Sequence, residues 1–429
     1  MRPSLYSKSI YKIQQLLHSL EFRSRHRQRP QDFTRNTTFT FPRVAGILLA
    51  GLQQSLQVEV DQFFDHLDLP DGRLPNDDAF RMARKKLKES AYIELRDQIN
   101  HDLPSDLAQR WHSWRIIAAD STTLYLPNHA DIRKPEHFNV YDGANAPPYS
   151  LARAAALCET STGLILCADL DADRVSEREL LLRQLPILKQ DDLLVLDRGY
   201  PAHWLFALLL ERQQAFCMRL YSSSYNPLVT AFARSDRMSE VITITPNRAQ
   251  YKSFNTHGIA IKPFKIRLVK VILQSGMIEI LATSLLNEVQ YPHAEFAALY
   301  HRRWRIEEAF RNLKCRLKLE QFGGETPLAV RQEFHAAILL HNLASLACED
   351  ALRALPAEQQ ALFHANLSYA ASQLRHQLPR LLSDPKRFGA LFDKIIVLLI
   401  KQVERLRPDR SGPPRNPSRI KPRYHRAYK

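Results

Sequence analysis

The spacing of apolar positions changes along the chain, and the changes divide it. Up to residue 105 apolar residues recur at helical intervals, with dense runs at 44–52 and 58–67 and a turn at Pro70-Asp71-Gly72. Asn76 is a favourable cap, so a helix is predicted over 77–100. From residue 111 short, solid apolar blocks replace that period, as buried strands require. Segment 115–119 predicts a strand ending at Asp120. Segments 150–158 and 164–170 flank the turn 160–163 as a hairpin, and 192–196 predicts a strand ending at Asp197. Ser176 should cap a helix over 177–185 that Pro186 stops, and 201–213 is helical. Strand, hairpin, helix, strand, helix is the order of a mixed α/β domain.

Residues 215–286 break that rhythm with strand-like pieces at 216–221, 240–244, 266–273 and 278–284, which predict an all-β insertion. A helix is expected from about 292 to 317, and 326–355 and 358–407 are largely helical. The expected organisation is a helical N-terminal domain at 1–105, an α/β domain at 106–345 carrying the β-rich insertion 215–286, a helical C-terminal region at 346–407, and a Pro/Arg-rich extended tail at 408–429.

At 429 residues and 45% hydrophobic composition the chain can bury a substantial core. Its longest unbroken apolar runs, 204–210 and 395–400, fall far short of the ~18 residues that span a bilayer. The N-terminus has no signal-peptide pattern. No membrane association is expected, and a cytoplasmic, nucleoid-associated location is. The five cysteines form no CxxC pair, which fits a reduced interior better than a zinc site or a disulfide framework.

Charge adds more. Lys plus Arg number 60 against 45 Asp plus Glu. The surplus lies at the ends: residues 1–43 hold nine basic and two acidic side chains, and residues 401–429 hold ten and two. Basic ends on a neutral body suggest a polyanion, most often nucleic acid; solubilising tails are the plainer alternative. The predicted helix 77–100 carries Arg81, Arg84, Lys85, Lys86 and Lys88, which reads either as a DNA-facing cluster or as a solvated face.

Candidate chemistry sits on Asp120 in AADSTT and Asp197 in LVLDRGY, each at the C-terminal end of a predicted buried strand. An aspartate there often only caps a turn. The helix around Trp304 raises the stakes. At ~100° per residue, Tyr300, Arg303, Glu307, Arg311 and Lys314 fall within an arc of roughly 80°, while Leu299, Ile306, Phe310, Leu313 and Leu317 occupy another. A salt-bridged surface helix explains this too. Three carboxylates from two strands and a helix suit Mg²⁺, or Mn²⁺ in its place, since such ions take a few carboxylates plus substrate phosphates. Two ions per site would serve phosphoryl displacement.

Tyr300, Arg303, Glu307 and Lys314 stand at the YREK spacing, and the string YHRRWRIEEAFRNLK resembles that of the insertion-sequence family 4 transposases, bacterial cut-and-paste enzymes of the DDE type. DSTT at Asp120 and DRGY at Asp197 resemble the blocks of the first and second catalytic aspartates, and AFRMARKKLK resembles the N-terminal region. The resemblance covers roughly residues 30–345. It implies a ribonuclease-H-like catalytic domain interrupted by a β insertion, a triad of Asp120, Asp197 and Glu307, and contacts of Tyr300, Arg303 and Lys314 with the transposon-end backbone. Trp304 matches a tryptophan common beside the signature arginine, there to stack on a distorted DNA end or to pack under the insertion. Where some relatives hold a flipped base with an aromatic on the last insertion strand, this chain has Glu279. The implied partners are double-stranded DNA, as terminal inverted repeats and target, and a second copy of the chain in a paired-end complex.

Two other readings stand beside a transposase: a transposase-derived DNA-binding protein that no longer cuts, and a metal-dependent nuclease acting on RNA or hybrids. The intact triad and YREK spacing count against the first. The large basic N-terminal region counts against the second.

Overall fold

The computed structural model describes residues 4–405 except 36, 66, 68–74, 135, 144–145, 222–225, 274 and 385–388. The predicted turn at 70–72 and the tail 408–429 lie outside the described residues.

The chain opens with helices α1 (Leu5–His18), α2 (Leu20–His26), α3 (Phe41–Ala50), α4 (Leu56–Asp65), α5 (Asp77–Arg84) and α6 (Ser90–His101). Asn76 does cap α5, accepting from the Ala79 N–H. The helix predicted over 77–100 nonetheless splits in two. Residues 86–88 pair with the segment after α2: Gln28 N–H donates to the Lys86 carbonyl, Lys88 N–H to the His26 carbonyl, and Arg27 bridges to Leu87. Long-range pairing here outweighs helix propensity.

There follow β1 (Arg110–Trp111), β2 (Trp114–Leu126), β3 (Asn139–Gly143), β4 (Ala146–Glu159), β5 (Ile165–Ala172), α7 (Glu177–Gln184), β6 (Asp192–Leu196), α8 (His203–Glu211), β7 (Ala215–Leu220), α9 (Pro227–Arg234), β8 (Ser239–Ile244), α10 (Tyr251–Thr256), β9 (Phe264–Ile272) and β10 (Ile278–Thr283). Among the described residues these strands form one ten-stranded sheet. β4 lies antiparallel to β2 and carries β3 and β5; β6 and then β7 continue parallel on the other side of β2; β10, β9 and β8 extend the sheet antiparallel.

Residues 215–286 are therefore not an all-β unit. Their first strand completes the parallel core, the rest widen the same sheet, and two helices lie among them. Asn226 caps α9, which buries Val229 and Phe232 at i, i+3 spacing. Asn247 and Gln250 form a capping box just ahead of α10, which buries Phe254.

The chain ends through α11 (Phe296–His301), α12 (Trp304–Arg311), α13 (Pro327–Arg353), α14 (Ala357–Gln360), α15 (Leu367–Ser383) and α16 (Gly389–Ile400). On one sheet face Ile117, Ala119, Leu194 and Leu196 pack against Leu181 of α7, Phe206 of α8 and Phe232 of α9. On the other, Ala118 and Leu124 meet Ile306 and Phe310 of α12 and Val330 and Phe334 of α13.

The two helical ends of the chain, predicted as separate regions, share one core. Tyr6, Ile10, Phe41 and Leu95 pack with Leu343 of α13, Leu374 of α15 and Ile395 of α16. Asp350 of α13 fastens the start of α1, accepting from Ser4 Oγ and from the Leu5 and Tyr6 N–H groups at 2.6, 3.0 and 2.8 Å. The basic stretch 1–43 is thus built into the fold along much of its length. No helix among the described residues is long and apolar enough to cross a membrane.

Candidate active site

The parallel β2–β6 ladder ends at the pair Ala119 and Leu196. The next residues are Asp120 and Asp197, so the two aspartates stand side by side just past the end of the ladder, about 4.8 Å being the usual strand spacing. Asp197 leaves β6 there, but the strand predicted to end at Asp120 does not: Asp120 stays in β2, opposite Ala156 of β4, because the antiparallel pairing continues after the parallel pairing has ended. β6 stops there while β2 runs on with β4 to Leu126, which opens a crevice at the strand ends. Each carboxylate is steadied by backbone: Asp120 Oδ1 accepts from Ser121 N–H and Asp197 Oδ1 from Gly199 N–H, both at 2.8 Å.

The third carboxylate comes from α12, held over the sheet by Ile306, Ala309 and Phe310. Arg303, just ahead of this helix, is buried at 6% exposure. Its Nη2 donates to Glu307 Oε1 at 2.5 Å, and its Nη1 lies 3.8 Å from Asp120 Oδ2. A guanidinium therefore stands between two of the carboxylates. Among the described residues no three His, Cys, Asp or Glu side chains converge tightly enough to hold an ion as they stand.

The negative charge is incompletely balanced. Burial pushes the Asp120 carboxyl up to about 7; the Asp197 and Glu307 carboxylates push the same way, against the Ser121 N–H and Arg303. Glu177, at the start of α7, is also raised, by burial and then by Asp197. The Tyr300 hydroxyl is buried with no hydrogen-bond partner among the described residues, and burial raises it.

The profile described as "Transposase DDE domain" matches residues 111–343, which span Asp120, Asp197 and α12. The chain belongs to this family. It is 22% identical over 275 residues to the transposase InsG for insertion sequence element IS4 of Escherichia coli (strain K12), covering 59% of this chain and 60% of that protein. The chain thus spans less than two thirds of that relative's length. A cryo-EM structure of the piggyBac transposase synaptic complex with hairpin DNA matches with a TM-score of 0.47 and 13% identity, over 91% of this chain and 85% of that one.

The signature residues of this DDE chain are not arrayed along one straight helix. The helix predicted over 292–317 breaks at 302–303, and residues Asn312–Arg316 form a π-helical turn. Tyr300 and Arg303 turn inward, and the Arg303 guanidinium lies 5.6 Å from the Tyr300 ring and 5.4 Å from that of Trp304. Trp304 is 51% exposed, so it does not pack under the widened sheet. Lys314 Nζ reaches across to the Thr123 carbonyl at 2.6 Å. Glu279 pairs with Arg219 at 2.8 Å.

The basic cluster divides as well. Arg81 is exposed and paired with Asp77, and Lys85 and Lys86 are exposed where α5 ends. Arg84 is turned into the core instead, where it donates to Glu333, Gln332 and the Ala329 carbonyl. It does not present its charge to DNA. Glu177, Arg178 and Gly199, which lie around Asp197, were not singled out from the sequence. A signal for two of them was present: in Ser176-Glu177-Arg178-Glu179 the capping box uses Ser176 and Glu179 and leaves the middle pair without a local role.

Proposed function

We propose that this protein is a DNA transposase whose catalytic residues are Asp120, Asp197 and Glu307. The observation that carries the reading is the β2–β6 register, which sets Asp120 and Asp197 side by side at the end of the parallel ladder, beneath the helix that bears Glu307. The strand order β5–β4–β2–β6–β7, three antiparallel strands followed by two parallel ones with helices on both faces, supports a ribonuclease-H-like catalytic domain.

The donor set is all oxygen, which fits Mg²⁺ or Mn²⁺. The incompletely balanced charge on Asp120, whose carboxyl is pushed up by burial and then by Asp197 and Glu307, suits a cation. Two such ions, when bound, would supply positive charge for an in-line phosphodiester displacement. The chain's own residues do the rest. Asp120, Asp197 and Glu307 would hold the ions, which would require Arg303 to release Asp120 and Glu307. Arg303, Lys314 and the Tyr300 hydroxyl would then engage the backbone around the scissile phosphate. Trp304, already exposed, stacks on the DNA end. Arg81, Lys85 and Lys86 contact flanking phosphates.

The substrate is the pair of terminal inverted repeats, hydrolysed to free 3′-hydroxyls that are then joined to target DNA. The working assembly is a homodimer on paired ends in the bacterial cytoplasm, on nucleoid DNA. A supercoiled plasmid carrying the terminal repeats, incubated with protein and Mg²⁺, tests this. Wild-type protein should nick at the repeats, and Asp120→Asn, Asp197→Asn and Glu307→Gln should each bind the repeats without cutting. Cutting that ignores the repeats would replace the transposase with a nuclease, and binding without cutting by wild type would leave a DNA-binding protein.

A further inference from the structure

The family triad leaves one carboxylate of the crevice without a role. Glu177 is the first residue of α7, whose capping box Ser176–Glu179 fixes its opening turn. Its neighbour Arg178 donates to the carbonyls of Gly199, Tyr200 and Pro201 at 2.6, 2.9 and 3.4 Å. That fork ties the start of α7 to the loop leaving Asp197, so the Glu177–Asp197 geometry is set by the backbone of two elements.

Glu177 Oε2 accepts from Ser121 Oγ at 3.1 Å, and Ser121 directly follows Asp120. Its other oxygen lies against Gly199, two residues past Asp197. The point a Cβ would occupy on Gly199 lies 2.2 Å from Glu177 Oε1 and 3.1 Å from Asp197 Oδ1. Both oxygens thus lie against Gly199, which leaves room for them by lacking a side chain, and they are no more than the sum of those two distances apart. Mg²⁺ takes carboxylate oxygens at about 2.0–2.1 Å, so two oxygens on one ion stand at most about 4.2 Å apart; a side-chain adjustment of about 1 Å or less lets this pair share one ion. On the far side of Asp120, Arg303 balances Asp120 and Glu307. Among the described residues, neither Glu177 nor Asp197 has an ion-pair partner of its own.

We propose that Glu177 is a fourth carboxylate of the catalytic centre, facing a divalent cation together with Asp197. The proposal rests on the reading of Asp197 as a metal ligand. Glu177 and Asp197 would hold one ion at the α7 side of the crevice, and Asp120 and Glu307 would hold the other at the α12 side once Arg303 withdraws.

The test is Mn²⁺ binding by the full-length protein without DNA, followed by electron paramagnetic resonance of free Mn²⁺, with thermal melting in chelator to check folding. Glu177→Gln preserves shape and should weaken one of two Mn²⁺ sites by at least the roughly tenfold that even an outer-shell partner contributes. Glu177→Asp should restore part of that affinity. Ser121→Ala removes the hydrogen bond but keeps the carboxylate, and should bind Mn²⁺ as wild type does. Wild-type binding by Glu177→Gln, or an equal loss in Ser121→Ala, overturns the proposal alone. If Asp197→Asn also binds as wild type, or wild type binds no Mn²⁺, the reading of the site falls with it.

Discussion

Asp120→Asn should abolish cleavage yet stabilise the cation-free protein at alkaline pH. In the folded chain burial, reinforced by Asp197 and Glu307, pushes the Asp120 carboxyl up to about 7 from an ordinary value of 3.8. Below about pH 4 it is protonated in folded and unfolded chains alike, and no penalty arises. As pH rises toward 7 the unfolded chain loses its proton first, so folding stability falls; above 7 the deficit is constant. At 1.36 kcal/mol per pKa unit the full deficit is about 4 kcal/mol. Asparagine is neutral, nearly the same shape, and can still accept from the Ser121 N–H. At ~2.1 cal/mol/K per residue, unfolding a chain this long carries about 0.9 kcal/mol/K, so the deficit corresponds to about 4 °C. Thermal melting of both proteins in chelator from pH 4 to 9 is the assay. The curves should meet near pH 4 and separate to that extent by pH 8, with Mg²⁺ raising the wild type more than the variant. A gap that is absent at pH 8, or present and constant across the range, refutes the electrostatic account of the site.

Arg84→Ala strands a buried Glu333, whose partner Arg84 sits 2.9 Å away; chemical denaturation should show a loss of about 3–5 kcal/mol, with the salt dependence of DNA binding unaltered. Replacing exposed Lys85 and Lys86 by alanine should lower the slope of log affinity against log salt by about 2, if each meets one phosphate, and an unchanged slope would reassign them to solubility. Gly199→Ala places a methyl 2.2 Å from Glu177 Oε1 and should eliminate cleavage while the fold persists on circular dichroism; wild-type cleavage would mean that the carboxylate geometry there is unimportant.

The strand-end aspartates were legible because a parallel strand buried on both faces must be a short solid apolar block, and its first polar residue marks where it leaves the core. Asp192–Asp197 follows that rule; at Asp120 the first polar residue marks the end of the parallel pairing, while β2 itself runs on with β4 to Leu126. The sheet's extent was not legible. Strand Ala215–Leu220 reads the same whether it pairs with β6 or begins a separate unit, since only long-range pairing distinguishes the two. The shared helical core was hidden for the same reason: the apolar faces of α1 and α16 record that they pack, not against what. Arg84 misled because a charge at a helix end defaults to the surface, and the partner that buries it lies nearly 250 residues away.

The YREK spacing illustrates what a straight-helix projection leaves out. On a continuous helix Arg303, Glu307 and Lys314 form one edge facing one ligand. In the folded chain the break at 302–303 ends α11 and starts α12 afresh, so Tyr300 and Arg303 go inward while Trp304 goes out. The π turn at Asn312–Arg316 takes more residues per turn than an α-helix, and it delivers Lys314 to the Thr123 carbonyl, three residues along β2 from Asp120. The signature thus fixes three depths around one crevice. Arg303 is seated between two carboxylates, Glu307 stands half exposed at the rim, and Lys314 lies along the strand that continues past the site. Seating Arg303 there supplies positive charge to a crevice that would otherwise hold Asp120, Asp197 and Glu307 against one another. A divalent ion held by Asp120 and Glu307 would supply two positive charges where Arg303 now supplies one and would leave Arg303 available to a phosphate, so on the proposed reading cation binding and DNA engagement should favour each other.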